Sequence, residues 1–201
     1  VTGSSGAGTS TVKHTFDQIF RREGIKAVSI EGDAFHRFNR ADMKSELDRR
    51  SMEGDNTFSH FSFEANVLDK LEGVFERYGE TGNGQTRHYI HDDAEAEKYS
   101  VPPGNFTEWA DFDSGSDLLF YEGLHGAVCA DGIDIAGKAD LKIGVVPVIN
   151  LEWIQKIHRD RDSRGYTTEA VTDVILRRMH AYVHCICPQF SETDINFQRV
   201  P

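Results

Sequence analysis

The residues best suited to chemistry come first in the chain, in the run Gly3-Ser4-Ser5-Gly6-Ala7-Gly8-Thr9-Ser10. It fits the phosphate-cradling pattern Gly-x-x-x-x-Gly-Lys-Ser/Thr at every fixed place except one, because Thr9 stands where lysine is usual. Small residues let successive backbone N–H groups curl around phosphate oxygens, and a helix that follows adds the positive end of its dipole. Gly3 to Thr11 therefore reads as an anion-binding backbone, with the Ser10 hydroxyl as a magnesium ligand. The point charge on the outer phosphate oxygens is missing, so another cation must reach them. A glycine-rich surface turn is the alternative reading of these residues.

Two acidic residues are candidates to work beside such a loop. Asp33, in Glu31-Gly32-Asp33-Ala34-Phe35-His36, directly follows a strand-like run. At the same sheet edge as the loop, its carboxylate could accept the proton of an attacking hydroxyl; its simpler alternative is to cap the next turn. Glu122 ends the apolar run Leu118-Leu119-Phe120-Tyr121, where a second carboxylate would hold magnesium opposite Ser10. Acidic residues at strand ends are common, so its position alone leaves both roles open.

Basic residues fall in two clusters. His36, Arg40 and Lys44 recur every four residues and would share one face if 34–52 were largely helical, which suits docking of an anionic substrate such as a phosphate monoester. A solvated surface paired with Asp42, Glu46 and Asp48 is the competing reading. Lys156, Arg159, Asp160 and Arg164 follow a second apolar run and end at Gly165, a plausible hinge for a lid over the phosphates. Lys156 or a neighbouring arginine could replace the charge missing at Thr9. Arg177 and Arg178 could meet phosphate, an effector or only neighbouring acids.

The elements that must position these groups alternate between strand and helix. Val12, Phe16, Ile19 and Phe20 repeat at helical spacing, so Ser10 to Glu23 reads as a helix stopped by Gly24, followed by a strand over Lys26 to Glu31. A helix-favouring run covers Ala41 to Met52, and Leu68, Leu71, Phe75 and Tyr78 predict a helix ending near Gly79. Thr86 to His91 reads as a short strand and His91 to Ser100 as a solvated acidic stretch. Leu118 to Tyr121 and Leu141 to Ile149 predict buried strands; Trp153, Ile154 and Ile157 predict a helix over Leu151 to Asp162 with those residues on its apolar face, and Thr168 to His184 predicts another. Such alternation points to an α/β sheet with ligands at the carboxyl ends of its strands.

Composition excludes several classes. At 201 residues, 38% hydrophobic and 27% charged, the chain has enough apolar material for a sizeable core without staples. Lys plus Arg is 22 against 33 Asp plus Glu, a net charge of −11 that disfavours nucleic acid and anionic membranes as partners. The longest apolar stretch, Ile143 to Ile149, is far short of the roughly 20 residues a bilayer needs, and a cytoplasmic location is expected. Three cysteines cannot all pair, and Cys185 and Cys187 with His180 and His184 make a poor zinc set. The chain opens without Met and only two residues before the glycine loop, so an internal piece of a longer protein is expected.

Taken together, Val-Thr-Gly-Ser-Ser-Gly-Ala-Gly-Thr-Ser-Thr, Glu-Gly-Asp-Ala-Phe-His-Arg-Phe, Phe-Tyr-Glu-Gly-Leu-His-Gly and Asn-Leu-Glu-Trp-Ile-Gln-Lys-Ile-His-Arg-Asp resemble the phosphoribulokinase family over nearly the whole chain. The likeness is to its bacterial class, which also has threonine in place of the loop lysine. The resemblance implies a P-loop kinase core similar to nucleoside monophosphate kinases, with a mixed, mostly parallel sheet flanked by helices. Here it would be truncated at both ends, with 1–201 as a single partial domain. It implies ATP and Mg2+, with the γ-phosphoryl group passing to ribulose 5-phosphate. Asp33 then matches the catalytic base, Glu122 the second acid near magnesium, and Asp160 a further carboxylate important for turnover. His36, Arg40 and Arg164, and less closely Lys44, match sugar-phosphate positions; Lys156 and Arg159 match lid cations; Arg178 matches a position of effector response. A large homo-oligomer with NADH and AMP as effectors is implied as well. Gly3 to Thr11 contains no cysteine, so the thioredoxin control of the plant-like class is not expected. Competing readings are a uridine- or pantothenate-type kinase and, from another class, a nucleotide-dependent binding switch.

Overall fold

In the computed structural model, residues 1–112 and 115–199 are described. Helix α1 (Thr9–Glu23) leaves the glycine loop and ends at Gly24, whose φ of 70° lets its N–H reach back to the carbonyls of Phe20 and Arg21. Strand β1 (Ala27–Glu31) leads into a short 3-10 turn, Gly32–Phe35, and helix α2 (Arg40–Met52) starts under an Asn39 cap. Helix α3 (Leu68–Thr81) buries Leu68, Leu71 and Val74. It runs past Gly79 to Gly82, which supplies the left-handed cap that Gly79 was expected to give.

The next stretch differs more from the sequence pattern. Strand β2 is only Gln85–Thr86, and the segment read as solvated forms helix α4 (Asp93–Tyr99), capped by Asp92 and with no buried residue. A helix polar on all sides carries no periodic signal. Strand β3 (Ala110–Asp111) pairs antiparallel with β2. Strand β4 (Leu118–Glu122) follows, then the small antiparallel pair β5 (Cys129–Ala130) and β6 (Ile133–Asp134), and β7 (Ile143–Pro147). Helices α5 (Ile149–Arg164) and α6 (Thr168–Ala181) come next. A π-turn over Tyr182–Ile186 then ends the helix read as far as His184, and strand β8 (Ile195–Arg199) was not expected.

The strands that organise the molecule are parallel. β1 pairs with β4 in the register Glu31↔Glu122, and β7 pairs with β8. Thr2 joins the two pairs through parallel bridges to Gly123 and Gly144, so Val1–Gly3 is the middle rung of the order β1, β4, Val1–Gly3, β7, β8. Successive residues on β4 face opposite sides. Phe120 packs against Phe16 and Phe20 of α1 with ring centroids 5.4 and 5.7 Å away, while Tyr121 joins Leu71, Val74 and Phe75 of α3. Helices therefore cover both faces. At the carboxyl edge, Gly123 is required because a Cβ there would lie 2.6 Å from the Gly32 Cα.

Candidate active site

The elements that carry the loop, the two acids and the α5 cluster meet at this one edge. The glycine loop leaves Val1–Gly3, Asp33 leaves β1, Glu122 ends β4, and α5 starts after β7. Gly6 and Gly8 have φ of 102° and 103°, in the left-handed region that favours glycine, and Gly8 hands the chain to α1 without a side-chain cap. The first amides of α1 have no partner within the helix by geometry, and they lie just after the loop that turns toward them. A Cβ on Gly6 would sit 3.1 Å from the Glu152 carbonyl oxygen and 3.3 Å from the Lys156 Cβ, so α5 lies directly against the loop.

Helix α5 turns a charged face inward. Glu152, Lys156 and Asp160, spaced by four, are all buried, whereas the expected apolar residue Ile154 is 52% exposed. Lys156 Nζ donates to Asp160 Oδ2 at 2.5 Å, and Arg159 donates through Nε to Asp160 Oδ1 and through Nη2 to Ser5 Oγ of the loop, at 3.0 and 3.1 Å. Burial, with the nearby charges of Arg178 and Arg159, lowers the Lys156 ammonium to about 8 despite Asp160. Cations thus flank the loop where Thr9 supplies none. The side chain of Arg164 lies outside the described residues.

Asp33 opens toward this cleft with its side chain 41% exposed. His36 Nε2 lies 3.2 Å from Oδ1 and His91 Nε2 lies 3.5 Å from Oδ2. Burial pushes the carboxyl up, but His36, His91 and His60 outweigh it and hold Asp33 well below the usual carboxylate range. Glu122, in register with Glu31 on the neighbouring strand, is shifted the other way by burial and by the charges of Asp33 and Glu31; the Thr9 hydroxyl and Lys13 oppose that rise. The two carboxylates are therefore set apart in acidity.

The four-residue spacing of His36, Arg40 and Lys44 does not place them on one helix face. His36 is extended and buried, bridged to Asn66, because the 3-10 turn ends at Phe35 and α2 starts only at Arg40. Arg40 donates to the His91 carbonyl at 3.1 Å, near Asp33's second histidine, and Lys44 is exposed one turn further on. Arg178 lies 3.3 Å from His60 Nδ1 and lines a small cavity with Ser5, Glu152 and Lys156. The pattern missed His60, Asn66 and His91, which reach the site from connections without periodicity. It also missed Glu152, although its spacing with Lys156 and Asp160 was visible. Among the described residues no group of three or more His, Cys, Asp or Glu side chains could hold a metal, and all three cysteines are free.

A parallel sheet with a glycine cradle, an acidic group after each of two neighbouring strands and a basic helix against the loop defines the α/β phosphate-loop kinase class. A family profile described as the Phosphoribulokinase / Uridine kinase family matches residues 1–201, and the chain belongs to that family. It is 82% identical over 201 residues to phosphoribulokinase 1 of Cereibacter sphaeroides and 67% identical to the phosphoribulokinase of Nitrobacter vulgaris, covering 69% of the length of each. The solved structure of phosphoribulokinase from Rhodobacter spheroides aligns with a TM-score of 0.87 and 77% identity, over 100% of this chain and 68% of that one. A possible uridine kinase from Bacillus stearothermophilus, 14% identical with a TM-score of 0.53, shares the fold. No helix among the described residues is long and apolar enough to cross a membrane.

Proposed function

We propose that this chain carries a kinase that transfers the γ-phosphoryl group of ATP to O1 of ribulose 5-phosphate, giving ribulose 1,5-bisphosphate and ADP. The observation that carries it is the shared edge: Glu122 ends β4 in register with Glu31, Asp33 follows two residues beyond Glu31 on the adjacent parallel strand, and the glycine loop leaves the rung beside β4. The left-handed glycines suit a polyphosphate cradle, and Gly3 to Thr11 would hold ATP through backbone N–H groups. Ser10 and Glu122 fit a hard divalent cation; magnesium bound there would neutralise charge on the phosphate oxygens.

In this mechanism Asp33 takes the proton of the attacking O1 hydroxyl as the new phosphorus–oxygen bond forms. Lys156 and Arg159 stabilise negative charge on the transferred group, and Asp160 orients both through the hydrogen bonds that tie it to them. His36, Arg40, Arg164 and Lys44 receive the sugar phosphate. Residues 1–201 act as one kinase domain. Effector response through Arg178 to NADH and AMP, a homo-oligomer and a cytoplasmic location belong to the same reading and rest on the family likeness.

The test is coupled ADP release by the complete protein with ribulose 5-phosphate, uridine or no acceptor. Stimulation by the sugar phosphate alone is expected. Equal stimulation by uridine, or hydrolysis without dependence on any acceptor, would overturn the assignment.

A further inference from the structure

The side chain of Asn66, 2% exposed, stands between two imidazoles. Its Nδ2 lies 3.0 Å from the His60 carbonyl and 2.8 Å from the Ser62 carbonyl. Carbonyls only accept, so the amide is oriented with its nitrogen toward them and its oxygen toward His36. Oδ1 in turn only accepts, and it lies 2.8 Å from His36 Nδ1, which must therefore carry a hydrogen. The other ring nitrogen, Nε2, faces an Asp33 oxygen at 3.2 Å, and an ionised carboxylate there requires a second hydrogen.

We propose that Asn66 is a positioning residue that holds His36 as an imidazolium against Asp33. Burial opposes the charge, but Asp33 and Asn66 together raise the His36 pKa. Among the groups around the pair, His91 faces the other Asp33 oxygen, the His60 ring packs on His36 at 5.3 Å, Tyr89 closes another side at 6.3 Å, and the Arg178 charge opposes the His36 cation without outweighing Asp33 and Asn66. His60 itself is driven well below its ordinary range by burial and by Arg178, so His36 carries the charge.

The far side of the same amide does the reverse. His125 Nε2 lies 3.1 Å from Asn66 Nδ2, and its Nδ1 lies 3.4 Å from Gln189 Nε2, which already donates to the carbonyls of Leu124 and Cys185. Both ring nitrogens face amide nitrogens, so no acceptor is in place for a second ring hydrogen, and burial pushes His125 down to about 3. One asparagine thus separates a cationic imidazole from a neutral one. Under the proposed function, the cation stands beside Asp33 where an anionic acceptor arrives, and pH near neutrality does not remove its charge.

The experiment is ring-nitrogen NMR of the complete, histidine-labelled protein at about pH 8, above the ordinary histidine range. His36 is expected to show two protonated ring nitrogens and His125 a neutral ring; a neutral His36 overturns the proposal. In Asn66→Ala, KM for ribulose 5-phosphate should rise about tenfold between about pH 6.5 and pH 8.5, with the KM for ATP unmoved, whereas the unaltered protein stays flat. A loss that is equal at both pH values would show a merely structural role and also overturn it. Absence of any activity with ribulose 5-phosphate would remove the proposed function, while the spectrum of the unaltered protein would still decide the state of His36.

Discussion

Lys156 Nζ sits 2.5 Å from Asp160 Oδ2 across one turn of α5, and both side chains are buried against the loop that lacks its usual lysine. A lysine arriving from another helix must be desolvated to reach that position, and desolvation makes it easier to deprotonate. In the general phosphate-loop pattern, by contrast, the lysine lies on the loop itself.

That location sets an alkaline limit. With Lys156 lowered to about 8, mainly by burial, the cation is present below that pH and disappears above it. The profile of kcat/KM, which reports the free enzyme, should therefore fall as pH rises through about 8. Lys156→Arg, which stays charged, should lose that limb. Lys156→Met should lose about 100-fold or more in kcat/KM below that pH, with the gap to the unaltered protein narrowing above it. An unchanged alkaline limb in the arginine variant would rule out Lys156 as its source.

Asp33→Asn keeps the shape of the side chain and removes its capacity to accept a proton. Turnover is expected to fall by about 100- to 10,000-fold, with nucleotide binding nearly intact because the glycine loop is untouched. Steady-state rates combined with nucleotide titration check this. A variant with near-normal kcat would remove Asp33 as the base.

Gly6→Ala tests the contact between the loop and α5. The residue has φ of 102°, and its new Cβ would press on the Glu152 carbonyl at 3.1 Å and the Lys156 Cβ at 3.3 Å. Strain at positive φ costs about 1–2 kcal/mol, so the protein should melt several degrees lower and bind ATP more weakly. Thermal unfolding and nucleotide titration read the two effects separately.

The glycine loop, Asp33 and Glu122 were legible in the sequence because glycine marks left-handed turns and the apolar run of β4 marks a buried strand. Asn66 and His91 were not, since their places near Asp33 depend on connections that cross the molecule and leave no local pattern. His36 was assigned to the right neighbourhood on the wrong geometry: spacing by four signals a helix face only where a helix exists. In α5 the apolar periodicity points to Trp153, Ile154 and Ile157, but the buried stripe is Glu152, Lys156 and Asp160. Charges at that spacing normally read as a solvated face, and only the packing of α5 against the loop reverses this. Strand β8 was invisible for a related reason: Ile195 and Phe197 remain 44% and 52% exposed, and its alternation is too short to stand out.

The stripe makes one more measurable claim, at Glu152. This carboxyl is 5% exposed, and its Oε2 is buried with the Ser4 hydroxyl nearby. Burial pushes it up to about 7, with Ser4 and Lys156 pulling weakly the other way. An acid whose pKa is raised on folding keeps its proton in the native state while the unfolded chain releases it. Stability therefore falls as pH rises from about 4.5 to about 7, and the whole penalty, at most about 3 kcal/mol, is present above that. Glu152→Gln has the same size and never ionises, so it should melt a few degrees higher than the unaltered protein at about pH 8 and match it near pH 4.5. Thermal unfolding at both pH values checks the sign as well as the size. If the glutamine variant is the less stable one at pH 8, Glu152 is ionised and stabilised by Lys156, and the inward face of α5 is held by charge pairing instead of by a neutral carboxyl.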